Sequence, residues 1–144
     1  LSVNYDQNQV VIRFSEEATF RSGEAAIKPE MIPIIERVVN VLSACTGDVL
    51  VSGYTDNRPI SSDRYRSNWD LSAARAVSVV HELVMNRQVP AERVVAAGRA
   101  ETNPLAPNDT PENRALNRRV EIAIRNPECN DEVPTGDLPV EIRP

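Results

Sequence analysis

Gly53-Tyr-Thr-Asp-Asn-Arg-Pro-Ile60, resumed after a polar gap by Asn68-Trp-Asp-Leu-Ser-Ala-Ala-Arg-Ala76, is the stretch on which the reading of this chain turns. It begins where the apolar run Val49 to Val51 ends, so Asp48 to Tyr54 reads as a buried strand. Beyond the loop Asn57 to Arg66, a long helical pattern opens through residues able to cap a helix, Ser67, Asn68 and Asp70. Strand, loop and helix start, in that order, put an acid (Asp56) at a strand end and a base (Arg75) in the first turns of a helix. Open α/β sheets bind ligands at such strand ends, and the unpaired backbone N–H groups of a helix start attract anions.

Outward from this stretch, helices and strands alternate. Upstream, Val10, Val11, Ile12 and Phe14 make Val3 to Phe14 a strand region, entered through the polar turn Asp6-Gln-Asn-Gln9. Ser15 to Lys28 is a short irregular segment, and Pro29 suits the first turn of a helix. Ile32, Ile35, Val38, Val39 and Leu42 recur at helical spacing, and Gly47 offers a left-handed cap after Cys45. Downstream, Asn68 to Asn86 reads as a second long helix with a stripe of Leu71, Ala74, Val77, His81 and Val84, widened by Ala76, Val80 and Leu83. Gln88-Val-Pro90 ends it, and Val94 to Gly98 is a third strand. Arg99 to Glu112, with Pro104, Pro107 and Pro111, is a loop of a length that usually serves function. Asn113 to Leu116 fits one helical turn, and Arg119 to Arg125 alternates as a last strand. The pattern predicts a two-layer α/β sandwich. Residues 1–125 are expected to form the domain, and 126–144, rich in proline and acids, an extended or disordered tail outside the core.

Bulk properties narrow the function. The 144 residues suffice for one domain with an ordinary core, and 41% apolar content is neither disordered nor membrane-like. A net charge of −5 argues against a nucleic-acid partner, which calls for a basic footprint. No apolar run approaches the ~18 residues of a membrane span, and no signal peptide is visible. Leu1 is not an initiator Met, so the chain reads as an excised piece whose anchor or export signal would lie upstream. The single His81 falls mid-helix with no G-x-S-x-G motif, and the ligand set of a metal hydrolase is missing. Of the enzyme classes, only a glycosidase with paired carboxylates stays open. An interaction module that dimerises or scaffolds is the other rival.

The motif G-x-T-D-x-x-P-I, a loop, then N-W-x-L-S-x-x-R-A resembles the OmpA-like peptidoglycan-binding domain, and every fixed letter is present here. Phe20-Arg-Ser-Gly23 followed by Ala26-Ile27 is similar to the family's F-x-S-G-x-A-x-L opening segment, shifted by one at its end. Asn117-Arg-Arg-Val-Glu-Ile122 matches its N-R-R-V-x-I strand. The longer loop between Asp56 and Asn68, with Pro59-Ile60, looks most like the periplasmic part of MotB-type flagellar stator proteins. The resemblance implies a βαβαββ order with two long helices on a mixed four-stranded sheet. It also implies a non-catalytic, cofactor-free, metal-free domain that anchors a membrane complex to the cell wall. The expected setting is the periplasm, as a piece of a single-pass inner-membrane protein, dimeric and joined through its missing N-terminal segment to MotA-type subunits. The wall-anchoring domain of an outer-membrane OmpA-type protein or of a secretion system is the alternative.

The stem peptide of many walls carries meso-diaminopimelate, whose free end holds an ammonium and a carboxylate on one carbon. Recognition of such a tip requires an anion and a cation close together. The resemblance assigns the ammonium to Asp56 and the carboxylate to Arg75, whose planar fork offers two parallel bonds. Backbone N–H groups near Leu71 and Ser72 would complete the carboxylate's shell, with Thr55, Asn57, Asn68 and Arg118 as further binding residues. A salt bridge of Asp56 to Arg75 that merely ties loop to helix is the bland reading. Arg118 and Arg119 are neighbours on a strand, so at most one faces the site and the other is expected to be solvated surface. Asn68 has two readings, cap or ligand contact. Trp69 is expected to pack rather than to serve as a sugar-stacking platform, and Phe20 to plug the core rather than line the pocket. His81 is expected to sit at the core or its boundary, and Arg58, Arg64 and Arg66 to form a solvated basic loop, with contact to the anionic wall polymer or a partner chain as its alternative. Cys45 and Cys129 pair in an oxidising compartment or stay as two thiols; a bridge would close a loop of about 80 residues.

Overall fold

In the computed structural model, which describes residues 2–5, 8–129 and 140–142, the chain runs β1 (Ser2–Tyr5), β2 (Gln9–Ser15), α1 (Glu16–Thr19), α2 (Ile32–Ala44), β3 (Val49–Tyr54), α3 (Asn68–Val80), β4 (Val94–Gly98), α4 (Pro111–Asn117), β5 (Arg119–Arg125) and β6 (Val140–Ile142). The sheet order is β4-β3-β5-β2-β1-β6. Strand β3 pairs in parallel with β4, as a strand–helix–strand crossover through α3 requires. Strand β5 enters between β3 and β2 and runs antiparallel to both. The four strands read from the sequence thus form one contiguous mixed sheet. The Val3 to Phe14 region is not one strand but the antiparallel pair β1 and β2; Asp6 and Gln7 of its expected turn lie outside the described residues.

Alternate residues of the central strands bury one face: Val10, Ile12 and Phe14 from β2, Val49 and Val51 from β3, Val120, Ile122 and Ile124 from β5. Against them pack Ile35, Val38, Val41 and Leu42 of α2, and Ala76, Val79 and Leu83 from α3 and the turn that continues it. Helix α2 stops at Ala44 because Arg93 takes its terminal carbonyls. Its Nη1, Nη2 and Nε donate to the carbonyl oxygens of Leu42, Cys45 and Gly47, each at 3.0 Å. Such a guanidinium satisfies orphan carbonyls and suits the negative end of the helix dipole.

Helix α3 is rotated from its expected phase. Its buried side is Asn68, Leu71, Ser72, Arg75, Ala76 and Val79, whereas Val77 is 42% exposed and His81 is exposed. The polar members of the buried side hid the true stripe from a count of apolar residues. His81, expected at the core or its boundary, faces outward on the π-helical turn His81–Asn86 that ends the helix. The start of α3 lies directly on the sheet through two glycines paired in register, Gly53 and Gly98. A Cβ on Gly53 would lie 2.2 Å from the Ser72 carbonyl oxygen, and one on Gly98 2.6 Å from the Ala73 nitrogen.

Cys45 and Cys129 are joined by a disulfide, and Thr46 N–H donates to the Glu128 carbonyl oxygen at 2.9 Å. Residues 126–129 are therefore tied to the end of α2, and Val140–Ile142 add a parallel strand beside β1. The rest of the expected tail, 130–139 and 143–144, lies outside the described residues. Among the described residues no helix is long and apolar enough to cross a membrane.

Candidate functional site

Thr55 and Asp56 leave the end of β3 and are held there by the main chain. Thr55 N–H donates to the Ala100 carbonyl oxygen at 2.8 Å, and Ala100 N–H donates to Ser72 Oγ at 3.1 Å. The strand end, the segment after β4 and the first turn of α3 thus form one unit. Asn68 closes it: its side-chain amide donates to the Arg58 carbonyl oxygen at 3.0 Å and to that of Asp56 at 3.5 Å. A cleft of about 290 Å³ opens beside this unit, walled by Thr55, Asp56, Asn68, Leu71, Arg118 and Glu16.

Its charges alternate. Asp56 Oδ1 accepts the Arg58 backbone N–H at 2.9 Å, while Oδ2 accepts Arg58 Nε at 3.2 Å and Arg118 Nη1 at 2.8 Å. Arg118 Nε also lies 3.4 Å from Glu16 Oε1, and Glu16 Oε2 accepts Arg75 Nη1 at 2.6 Å. Arg75, 2% exposed, further donates from Nε to the Glu24 carbonyl oxygen at 2.8 Å. Its guanidinium stands 4.9 Å from the centroid of the Phe20 ring. The line Arg58, Asp56, Arg118, Glu16, Arg75 is plus, minus, plus, minus, plus. Burial by itself would raise the Asp56 carboxyl. The Arg118 hydrogen bond, the Arg58 N–H and the charges of both guanidiniums together outweigh it and hold the group below its ordinary 3.8.

The expected site residues divide. Thr55, Asp56, Asn68, Leu71 and Arg118 share the cleft. Arg75 does not meet Asp56: it pairs with Glu16, which Arg118 links to Asp56, so the bland Asp56–Arg75 bridge does not form. Ser72 is fully buried, its hydroxyl donating to the Trp69 carbonyl oxygen and accepting from the Ala100 N–H, which ties the helix start to the segment after β4. The Leu71 N–H already donates to the Ser67 carbonyl oxygen. Asn57 is exposed on the far side of the loop, in the depression that holds Trp69. Ser67, not Asn68, holds the N-cap position of α3, without a side-chain capping hydrogen bond. Arg119 is not solvated surface: it is 5% exposed, stacked 3.9 Å over the Tyr54 ring and paired with Glu121 at 2.7 Å. Trp69, expected to pack, is 54% exposed. Phe20 is in the core.

Glu16 escaped the sequence reading, and Arg58, expected in a solvated basic loop, lies on the cleft instead. Glu16 had a signal: Ser15 ends β2 and caps α1, its Oγ accepting the Ala18 N–H at 3.3 Å. An acid just past a strand end is the same placement that singled out Asp56. Among the described residues no group of three or more His, Cys, Asp or Glu side chains is placed to hold a metal ion.

Fold and site together define a two-layer α/β domain with a charged cleft at a strand end. The chain belongs to the OmpA family, which it matches over residues 19–118. Motility protein B of Bacillus subtilis is 37% identical over 116 residues, covering 80% of this chain and 44% of that protein. The peptidoglycan-binding protein ArfA of Mycobacterium tuberculosis is 38% identical over 106 residues, 73% of this chain and 31% of ArfA. The chain thus spans less than half the length of these two relatives. Among solved structures, the cell wall anchor of the type VI secretion system from Pseudomonas aeruginosa superposes with a TM-score of 0.80 at 40% identity, covering 86% of each chain.

Proposed function

We propose that this domain binds peptidoglycan without catalysis, gripping the zwitterionic tip of a stem peptide such as meso-diaminopimelate, and so ties a membrane complex to the cell wall from the periplasmic side. The observation that carries the proposal is the alternating charge line that runs along the cleft wall through Arg58, Asp56, Arg118 and Glu16 and ends on the buried Arg75. Each charge of such a ligand has a counterpart already on the protein. The Arg58 guanidinium, 63% exposed, occupies the ammonium position on Asp56. The Glu16 carboxylate occupies a carboxylate position between Arg118 and Arg75. A ligand ammonium displaces Arg58, and a ligand carboxylate that displaces Glu16 meets two guanidiniums at once. Arg75 then keeps the role the sequence suggested, reached through Glu16 rather than beside Asp56.

A MotB-type stator, dimeric and working with MotA-type subunits, is the machine that the long Pro59-Ile60 loop and the likeness to Motility protein B favour. The likeness to the secretion-system wall anchor supports the same grip in a different machine. A single membrane helix and a β-barrel leave different hydropathy patterns, so the hydropathy of the full-length protein distinguishes these from an outer-membrane protein.

Co-sedimentation with intact sacculi tests the grip. The wild-type chain is expected to pellet, and Asp56→Asn and Arg118→Ala each to weaken retention by about tenfold or more, the scale of truncating one member of a desolvated charge pair. Release of soluble wall fragments would favour a hydrolase instead, and wild-type retention by both variants would rule out this cleft.

A further inference from the structure

Beside the charged cleft lies a second depression of about 240 Å³, lined by Trp69 together with Asn57, Ser67 and Glu101. It shares Pro59, Ile60 and Asn68 with the cleft, so the two are separated only by the Pro59-Ile60 ridge. Trp69 is among the largest apolar side chains the chain could hide, yet it is 54% exposed on the second residue of α3. Its side chain is not needed to hold the fold: the positioning of α3 runs through the Trp69 carbonyl, Ser72 and the two glycines.

We propose that the Trp69 depression is a saccharide subsite that takes a sugar ring of the glycan strand to which the gripped peptide is attached. A pyranose has one face of C–H bonds and a rim of hydroxyl and acetamido groups. A flat indole accepts the first, and an amide (Asn57) with a carboxylate (Glu101) serves the second, both side chains being exposed and available to a ligand. A protein partner would call instead for a contiguous apolar patch around the aromatic anchor, and the lining beside Trp69 includes the polar Asn57, Ser67, Asn68 and Glu101. The location adds the second argument, because in this polymer sugar and peptide are covalently joined and the two depressions are contiguous. Linking two modest contacts in one ligand multiplies affinity without any new contact. The inference rests on the wall-binding reading of the cleft and extends it from the peptide to the glycan.

The test is calorimetric titration of the chain with two probes, a synthetic disaccharide–peptide and the same peptide lacking the sugars. The wild type is expected to bind the disaccharide–peptide about tenfold more tightly than the bare peptide. Trp69→Ala should bring the two affinities together while leaving bare-peptide affinity within about twofold, and Trp69→Phe should keep part of the difference. The thermal transition of each variant, expected near that of the wild type, shows that the fold is intact. Equal affinity of the wild type for both probes, or a Trp69→Ala variant that keeps the sugar advantage, overturns the subsite and points to a protein contact at the indole. Binding of the disaccharide–peptide with none of the bare peptide would overturn the peptide cleft while supporting the sugar site. Failure of both probes overturns both.

Discussion

At the scale of single residues the proposed grip is a contest between ligand charges and the protein's own. Glu16 is the sharpest case, because its carboxylate neutralises Arg75, a cation 2% exposed. Glu16→Gln keeps a hydrogen-bond acceptor but removes the competing charge. It is expected to tighten binding of a diaminopimelate peptide several-fold in titration, while costing about 1–3 kcal/mol of stability by chemical denaturation, less than outright loss of a buried partner. Weaker binding by this variant would mean that Glu16 shapes the cleft rather than fills it. Asp56 makes a pH prediction. Its folded-state carboxyl lies below the 3.8 it has when unfolded, so the unfolded chain takes up the proton first as pH falls. The stability it contributes is full above 3.8 and is lost as pH drops through the lower folded value. Wall binding should accordingly stay level from neutrality to about pH 5, and Asp56→Asn should flatten the acid side of the stability–pH curve.

At the scale of elements, the site depends on how closely α3 lies on β3 and β4. The paired glycines permit that contact, and the helix brings Asn68 and Leu71 to the cleft wall. Gly53→Ala would drive a methyl into the Ser72 carbonyl oxygen at 2.2 Å, where only a shift of the helix backbone gives relief. The expected result is a loss of about 3 kcal/mol in denaturant unfolding, at the upper end for overpacking, with weakened sedimentation from a displaced wall. The strand reading succeeded here because β3 and β5 declare themselves by apolar runs and alternation. The phase of α3 did not, because a helix that buries Asn68, Ser72 and Arg75 breaks the rule that the buried side is the apolar one. Those buried polar groups serve the site and its scaffold. Asp56 and Arg118 were legible from motif and strand-end placement. Glu16 and Arg75 meet across 59 positions, a pairing that no local period encodes.

At the scale of the whole molecule, stability and binding sit at opposite ends of β3. The disulfide fastens the chain just before the strand begins, and Asp56 lies just past its end, some 20 Å away at the usual rise per residue. The bridge joins residues 84 apart, and the loop it closes contains every cleft residue named except those of the Glu16 to Gly23 segment. Cross-linking so long a loop restricts the unfolded chain far more than it shapes the folded one. Replacing both cysteines by serine is therefore expected to cost about 4 kcal/mol in the chain-entropy account and to lower the Tm by about 10 °C or more. Retention on sacculi at 25 °C should be unchanged while the variant remains folded, because neither the Asp56 nor the Glu16 pairing includes a group near the bridge. Paired calorimetry and sedimentation on the double variant decide the matter. A fall in retention with the folded fraction intact would mean that strain at the base of the sheet reaches the cleft through β3, and that anchoring and stability are one property rather than two.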